Sequence, residues 1–357
     1  MTYVVNRNLN LTNICTVGCA FCGFGHARRS PDAYQLDEAQ VRERIAEAVA
    51  EGATELCVQS GIHPDWTLET YEQWLELCRD AAPGIHLHAF SPMELDAMVR
   101  ASGLEVAAVL ARLRHAGLGS IPGTAAEILD DAVRAQISPN KLPAARWVEL
   151  VDAAHAAGLP STATIMFGHI EQPPHLATHL LTVRALAERS TARRAAAVAA
   201  GADTGRCGGK TDTQQGSGAV APLPAAITEF VPLRFIPHQT LLGRTRGVRE
   251  LDADETLRLT AIFRLALGRS ITNLQTSWVK LGLPLAAESL RWGVNDLGGT
   301  LMEENISRLA GADHGVRVTP QELIEAAHAA GRPAAQRSTA YELIAEHPLP
   351  APVSGGA

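Results

Sequence analysis

Short β-branched runs alternate with longer Ala-, Leu- and Glu-rich amphipathic segments along the 357 residues, and this rhythm limits the fold more than any other feature. The strand candidates are "YVVNRNLNL" (3–11), "ELCVQS" (55–60), "IHLHAF" (85–90), "LGSIPG" (118–123), "STATIMFG" (161–168), "EFVPLRFI" (229–236), "ITNLQTSW" (271–278) and "VNDLGG" (294–299). Helical patterns lie between them at 37–51, 68–81, 104–116, 126–135, 144–157, 175–189, 254–268 and 283–292. Strand then helix, eight times over, predicts an α/β chain folded as a (β/α)8 TIM-like barrel in a single domain. An open doubly wound sheet is the alternative. The fit is good for the first five units and looser for the last three.

One stretch breaks the rhythm. Residues 189–225 are rich in Ala, Gly, Arg, Thr and Gln and carry no sustained apolar stripe. They are expected to form a disordered insertion. The barrel then divides into 1–188, with the cysteine loop, and 226–347, which completes it and adds a C-terminal substrate-side segment. Residues 348–357 read as a flexible tail. Net charge is -7, so no basic surface argues for nucleic acid. No apolar run reaches the roughly 18 residues of a membrane span, and "MTYVVNRNLN" lacks the regions of a signal peptide. A cytoplasmic location follows as the expectation, and there clustered cysteines act as metal ligands or catalytic groups more often than as disulfides.

Three of the six cysteines stand within "NICTVGCAFCGF" as Cys15-x3-Cys19-x2-Cys22. A structural zinc site wants four ligands, usually as two separated pairs, and no second pair stands at suitable spacing. Three thiolates instead suit a 4Fe-4S cluster with one open iron. The spacing resembles the signature of the radical SAM superfamily, which implies S-adenosylmethionine on the open iron. Gly18 and Ala20 allow the loop to curl, and Phe21 stands where the superfamily places an aromatic near the adenine. Because the cysteine loop follows the first strand, it belongs at the C-terminal mouth of the barrel. "QSGIH", with Gln59 and Gly61, resembles the turn that binds the SAM amino group. "TIMFGHIE", with Thr164, Met166, Gly168 and Glu171, resembles the adenine-side pattern. Glu127 in "PGTAAEIL" is a candidate for the ribose hydroxyls. Cys57, Cys78 and Cys207 are not expected to be ligands.

Alternation along the strands also bears on the substrate. Asn6, Asn8 and Asn10 share one face, as do His86, His88 and Phe90, and again Asn273, Gln275 and Ser277. Lumen amides, imidazoles and hydroxyls need partners, which they find in one another, in water, or in a polar uncharged ligand with many donors and acceptors. His88, Gln275 and Ser277 are the candidates for substrate contact. Glu303 and Glu304 in "TLMEENISR" are placed to close over the mouth, or to pair with Arg308.

"YVVNRNLNLTNIC", "HLHAFSPMEL", "PGTAAEILDDAVRAQISPNKL", "TATIMFGHIE", "EFVPLRFIP", "NLQTSWVKLG" and "NDLGGTLMEENISRLAG" together closely resemble the family of the second radical SAM component of FO synthase, the tyrosine 4-hydroxyphenyl transferases of coenzyme F-420 biosynthesis. The resemblance runs from about residue 3 to about 341. It breaks across 189–225, and Ser60, Ser138 and Arg234 depart from the pattern. It implies transfer of the 4-hydroxybenzyl group of L-tyrosine to 5-amino-6-(D-ribitylamino)uracil. It also implies a reductase, flavodoxin or ferredoxin as electron donor and pairing with the first FO synthase component. The alternatives are a radical SAM enzyme of the futalosine route to menaquinone and a non-catalytic iron–sulfur protein.

Overall fold

The computed structural model describes residues 1–202 and 222–351. Its strands, in chain order, are β1 (Thr2–Val4), β2 (Asn6–Leu9), β3 (Glu55–Val58), β4 (His86–Ala89), β5 (Ser161–Phe167), β6 (Ile227–Arg234), β7 (Asn273–Leu274), β8 (Asp296–Gly299), β9 (Ala334–Arg337) and β10 (Leu343–His347). β1 and β2 are two halves of one strand. β2, β3 and β4 pair in parallel, as do β5, β6 and β7, and β1 pairs in parallel with β8. Single bridges His88–Ser120, Ile121–Ser161 and Gln275–Asp296 join these groups. The result is a closed ring of eight parallel strand positions, with Ser120 and Ile121 as the fourth.

Helices follow the strands of the eight barrel units, so the apolar strand faces are covered from outside. Glu38–Ala50 and Leu68–Ala81 sit where the periodicity predicts them. The pattern at 126–135 forms a helix only over Asp131–Ile137, because the preceding residues turn sharply, with Ala125 and Glu127 at positive φ. The helix Pro92–Ser102 has no counterpart among the predicted segments. Its start is nonetheless written in the sequence: Ser91 accepts from the Glu94 N–H, Glu94 accepts from the Ser91 N–H, and Pro92 follows the cap.

Two further differences bear on function. The helix beginning at Pro173 runs to Ala199, so 189–199 is helical rather than disordered. Its last turns are held from the side: buried Ser190 bonds His155 at 2.7 Å, and Arg193 pairs with Asp152 at 2.9 Å. No continuous apolar stripe was needed. The rest of the expected insertion, with Cys207, and the end of the tail fall largely outside the described residues. The second difference is a strand pair beyond the eighth unit. β9 adds in parallel to the free edge of β1, below the point where β3 takes over that edge, and β10 folds back antiparallel on it. This pair lies under the N-terminal end of the barrel.

Candidate active site

The three cysteines lie on the loop that leaves β2. Backbone bonds fix the loop from three sides: Cys15 N–H to the His26 carbonyl (2.9 Å), Thr16 N–H to Ile62 (3.0 Å) and Ala20 N–H to Ile137 (2.8 Å). The Gly61 N–H also donates to the Thr12 carbonyl. A Cβ at Gly61 would collide with the carbonyl oxygen of Ile14. Gly61 is therefore needed for the cysteine loop to lie against the end of β3. Cys15, Cys19 and Cys22 all line one cavity of about 380 Å³, which runs down into the barrel lumen.

Glu94 braces that cavity from the next unit. Buried, it accepts from the Ser60 N–H at 3.0 Å and from both the N–H and the hydroxyl of Ser91. Burial pushes its carboxyl up to about 7. One side chain thus ties the turn after β3 to the start of the helix Pro92–Ser102. Across the cavity, Thr164 donates to the Gly123 carbonyl and Thr162 accepts from the Gly123 N–H, which pins the segment leading to Glu127. Glu127 pairs with Lys141, whose ammonium stands 4.9 Å over the Phe21 ring. Burial opposes the charge of Lys141, but Glu127 and Cys19 outweigh it and raise its pKa.

Deeper in the lumen, His88 shares the Ser120 hydroxyl with His86, each at 2.7 Å, and burial pushes His88 down to about 4. Gln275 meets its neighbours' needs only with its amide nitrogen turned to Glu229, at 3.0 Å. Phe21, Gln59, Gly61, Glu127, Thr164, His88, Gln275 and Ser277 all border the cavity with the cysteines.

Several candidates lie elsewhere. Glu303 is turned outward and pairs with Arg7 and Arg44 at 2.9 and 3.1 Å, which corrects the expectation that it reaches a ligand. Its neighbour Glu304 faces the cavity instead and accepts from the Ser307 N–H. Gly168 and Glu171 stand outside the lining: the Glu171 carboxylate accepts the Gly168 and His169 N–H groups and shapes the turn itself. Asn10 donates to the Gln59 carbonyl, Asn273 to that of Thr228, and Phe90 packs edge-on against Tyr71, so the outer members of the alternating sets serve the wall. Lys141, Lys280, Glu55, Glu229 and Arg337 line the cavity and were missed. Lys141, Glu229 and Lys280 stand inside the resembling blocks without having been singled out there, Glu55 and Glu229 showed only an inward strand phase, and Arg337 had no sequence signal.

The radical SAM superfamily model matches residues 9–181, and the model for the CofH/MqnC C-terminal region matches residues 225–349. The 5-amino-6-(D-ribitylamino)uracil–L-tyrosine 4-hydroxyphenyl transferase of Archaeoglobus fulgidus is 43% identical over 345 residues, which cover 96% of this chain and 89% of that one. The chain belongs to this transferase family. The Methanopyrus kandleri protein of the same name is 41% identical over 96% of this chain and 84% of its own. The FO synthase of Mycobacterium tuberculosis is 42% identical, and the match spans 36% of its length. Among solved structures, methylornithine synthase (TM-score 0.63, 13% identical, 92% of this chain and 83% of that one) and the FeFe-hydrogenase maturase of Carboxydothermus hydrogenoformans (TM-score 0.64, 14% identical, 96% and 69%) share the fold.

As radical SAM enzymes, members of the transferase family use a 4Fe-4S cluster and S-adenosylmethionine. The donor set fits such a cluster. Among the described residues, no three His, Cys, Asp or Glu side chains converge tightly enough to hold a single metal ion. Cys15 and Cys22 flank one point beside Gly25, and Cys19 lines the same cavity. A Cβ at Gly25 would lie 3.8 Å from the sulfur of Cys15 and 4.0 Å from that of Cys22. The Gly25 N–H also points at the Cys22 sulfur from 3.4 Å, the kind of donor that cluster thiolates use.

Proposed function

We propose that this chain transfers the 4-hydroxybenzyl group of L-tyrosine to 5-amino-6-(D-ribitylamino)uracil in FO formation. The observation that carries this reading is one continuous cavity, with three thiols at its mouth and amide, imidazole, hydroxyl and carboxylate groups below. Cys15, Cys19 and Cys22 would hold the cluster, and Phe21, Gln59, Glu127 and Thr164 would border S-adenosylmethionine. When bound, these cofactors supply a carbon radical that takes a hydrogen atom from the substrate.

The side chains then have defined tasks. Such a radical reacts with almost any nearby C–H bond, so the walls must hold tyrosine within about 3–3.5 Å and keep other groups away. Glu94 does part of this by fixing the turn at Ser60. His88 stays neutral at physiological pH because burial disfavours its cation, and it offers a ring nitrogen rather than a charge. Gln275 and Ser277 offer an amide and a hydroxyl to the pyrimidine or the phenol. Lys280 and Glu304 face each other near the mouth, where the amino acid's charged end would enter.

No helix of the described residues is long and apolar enough to cross a membrane. We place the enzyme in the cytoplasm, with a flavodoxin- or ferredoxin-type electron donor and the first FO synthase component as its partner. The test is anaerobic reconstitution with iron, sulfide and SAM, then dithionite with tyrosine and the ribitylaminouracil, followed by mass spectrometry. 5'-Deoxyadenosine and the hydroxybenzyl adduct should appear together and depend on both substrates. 5'-Deoxyadenosine that forms with no hydroxybenzyl adduct, whether or not the two substrates are present, would overturn this reading.

A further inference from the structure

The floor of the lumen is built by a segment outside the eight barrel units. Arg337, at the end of β9, enters from below and pairs with Asp296 (Nε to Oδ2, 2.5 Å) and Glu229 (Nη2 to Oε2, 3.0 Å). The Tyr341 hydroxyl donates to the same Glu229 oxygen. Thr339 donates to Glu55 at 2.7 Å, and Asn6 donates to the other oxygen of Glu55 at 2.8 Å. Glu55, Glu229, Gln275, Arg337 and Thr339 all border the cavity that begins at the cysteines. Two buried carboxylates therefore pair with one guanidinium, and a third, Glu55, is held nearby by Thr339 and Asn6. A carboxylate oxygen accepts more than one hydrogen bond. The floor keeps spare acceptors after its internal bonds are counted, above all at Glu229 Oε1, which meets only the Gln275 amide.

The spacing says which part of a ligand would reach it. Glu229 and Phe235 both line the cavity and stand six residues apart on one strand and its extension. At about 3.3 Å per residue and a barrel tilt near 36°, the floor lies about 16 Å below the mouth. The reacting atoms, the tyrosine amine and the uracil C5, must sit beside the cysteine end. The floor meets whatever is most distant from them. A phenol brings one hydroxyl to that place, whereas a ribityl chain brings a row of hydroxyl donors and matches an acceptor-rich floor.

Resting on the transferase reading, we infer that the floor is the ribityl subsite, with Glu55 and Glu229 as acceptors for the chain's hydroxyls. Arg337, Thr339 and Tyr341 are positioning residues that hold those carboxylates. Affinity for the ribitylaminouracil, and for 5,6-diaminouracil without the ribityl chain, is measured calorimetrically on the anaerobic cluster-loaded protein with SAM. The proteins compared are wild type, Glu229→Gln, Glu55→Gln, Thr339→Val and Thr339→Ser, and tyrosine KM is read in parallel. Each neutralised carboxylate should weaken the ribitylaminouracil about ten- to a hundredfold and leave 5,6-diaminouracil and tyrosine unchanged. Thr339→Val should act in the same direction, more weakly, and Thr339→Ser should restore binding. Equal weakening of both uracils, or a change in tyrosine KM alone, would overturn the assignment. Wild-type protein that binds neither uracil would instead overturn the transferase reading, and the subsite with it. Should Glu229→Gln fail to fold, Glu55→Gln and the Thr339 pair decide the matter.

Discussion

Cys15, Cys19 and Cys22 share a loop but have different surroundings, and each can be tested. Cys19 is pushed up to about 12, chiefly by burial, and Cys22 is raised as well. As bare thiols they stay protonated, and iron must displace those protons, so cluster loading is expected to be faster at alkaline pH. Changing any of the three to Ala should abolish both cluster iron and 5'-deoxyadenosine formation. Cys57→Ala and Cys78→Ala should keep both, since Cys78 lies in the core and Cys57, although it borders the same cavity, sits on β3 outside the cysteine loop with its sulfur beside the Gln59 amide. A Cys15→Ala protein with full iron content and SAM cleavage would remove the assignment. Beside the loop, Lys141 and Glu127 form a pair of which each side chain is about nine-tenths buried. Lys141→Met strands the carboxylate and should cost about 3–5 kcal/mol in urea unfolding. The double variant Lys141→Met/Glu127→Gln should regain most of that. A loss in the double variant equal to the sum of the Lys141→Met and Glu127→Gln losses would mean that the two side chains act independently.

Elements that made long apolar or alternating runs could be read from the sequence, and those held by specific bonds could not. β5 and β6 match "STATIMFG" and "EFVPLRFI" closely because every residue of β5 is buried and the run is continuous. The fourth strand is little more than two bridged residues, although "LGSIPG" marks its place. β9 and β10 were missed because "AAQR" and "LIAEH" have a mixed pattern and lie beyond the eight expected units. The polar lumen was legible as a class through the alternation of His88 and Gln275. Arg337 was not, since its role depends on partners more than forty residues away in Asp296 and Glu229. The same contrast applies to the helix Pro173–Ala199, whose end hangs on His155 and Asp152. Ser190→Ala should leave a buried imidazole nitrogen without its partner and cost about 1–3 kcal/mol. Arg193→Ala, at a part-exposed pair, should cost under about 1 kcal/mol. Thermal unfolding of the two variants ranks them, and the reverse order would show that the ion pair anchors the helix end.

For the whole molecule, buried ionisable groups set the response to pH through two opposed sets. Burial pushes His88 and His155 down to about 4 and His179 to about 3, and it lowers His86 and His169 as well. Burial raises Glu94 to about 7 and also raises Glu229 and Glu304. As pH falls through about 6.5, the unfolded chain gains protons on histidines that the native state keeps neutral, so these groups destabilise the fold on acidification. The three glutamates do the opposite. They hold protons in the native state that the unfolded chain binds only near 4.5, so they stabilise as pH falls from about 7 to 4.5. Of the groups with large shifts, three histidines oppose two glutamates in the window from pH 6 to 5, so unfolding there takes up about one net proton. Stability should therefore fall by about 1.4 kcal/mol per pH unit in that window, with an optimum near neutrality. His179 allows a clean test. Its Nδ1 accepts the Leu129 N–H at 3.0 Å, a bond that the amide oxygen of an asparagine can keep. His179→Asn should then lower the slope of stability against pH between 6 and 5 by about 1.4 kcal/mol per unit, measured by urea unfolding of the anaerobic cluster-loaded protein. An unchanged slope would mean that His179 is protonated in the native state, and that its burial among Leu129, Phe230 and the β5 wall is relieved by a partner other than the Leu129 amide.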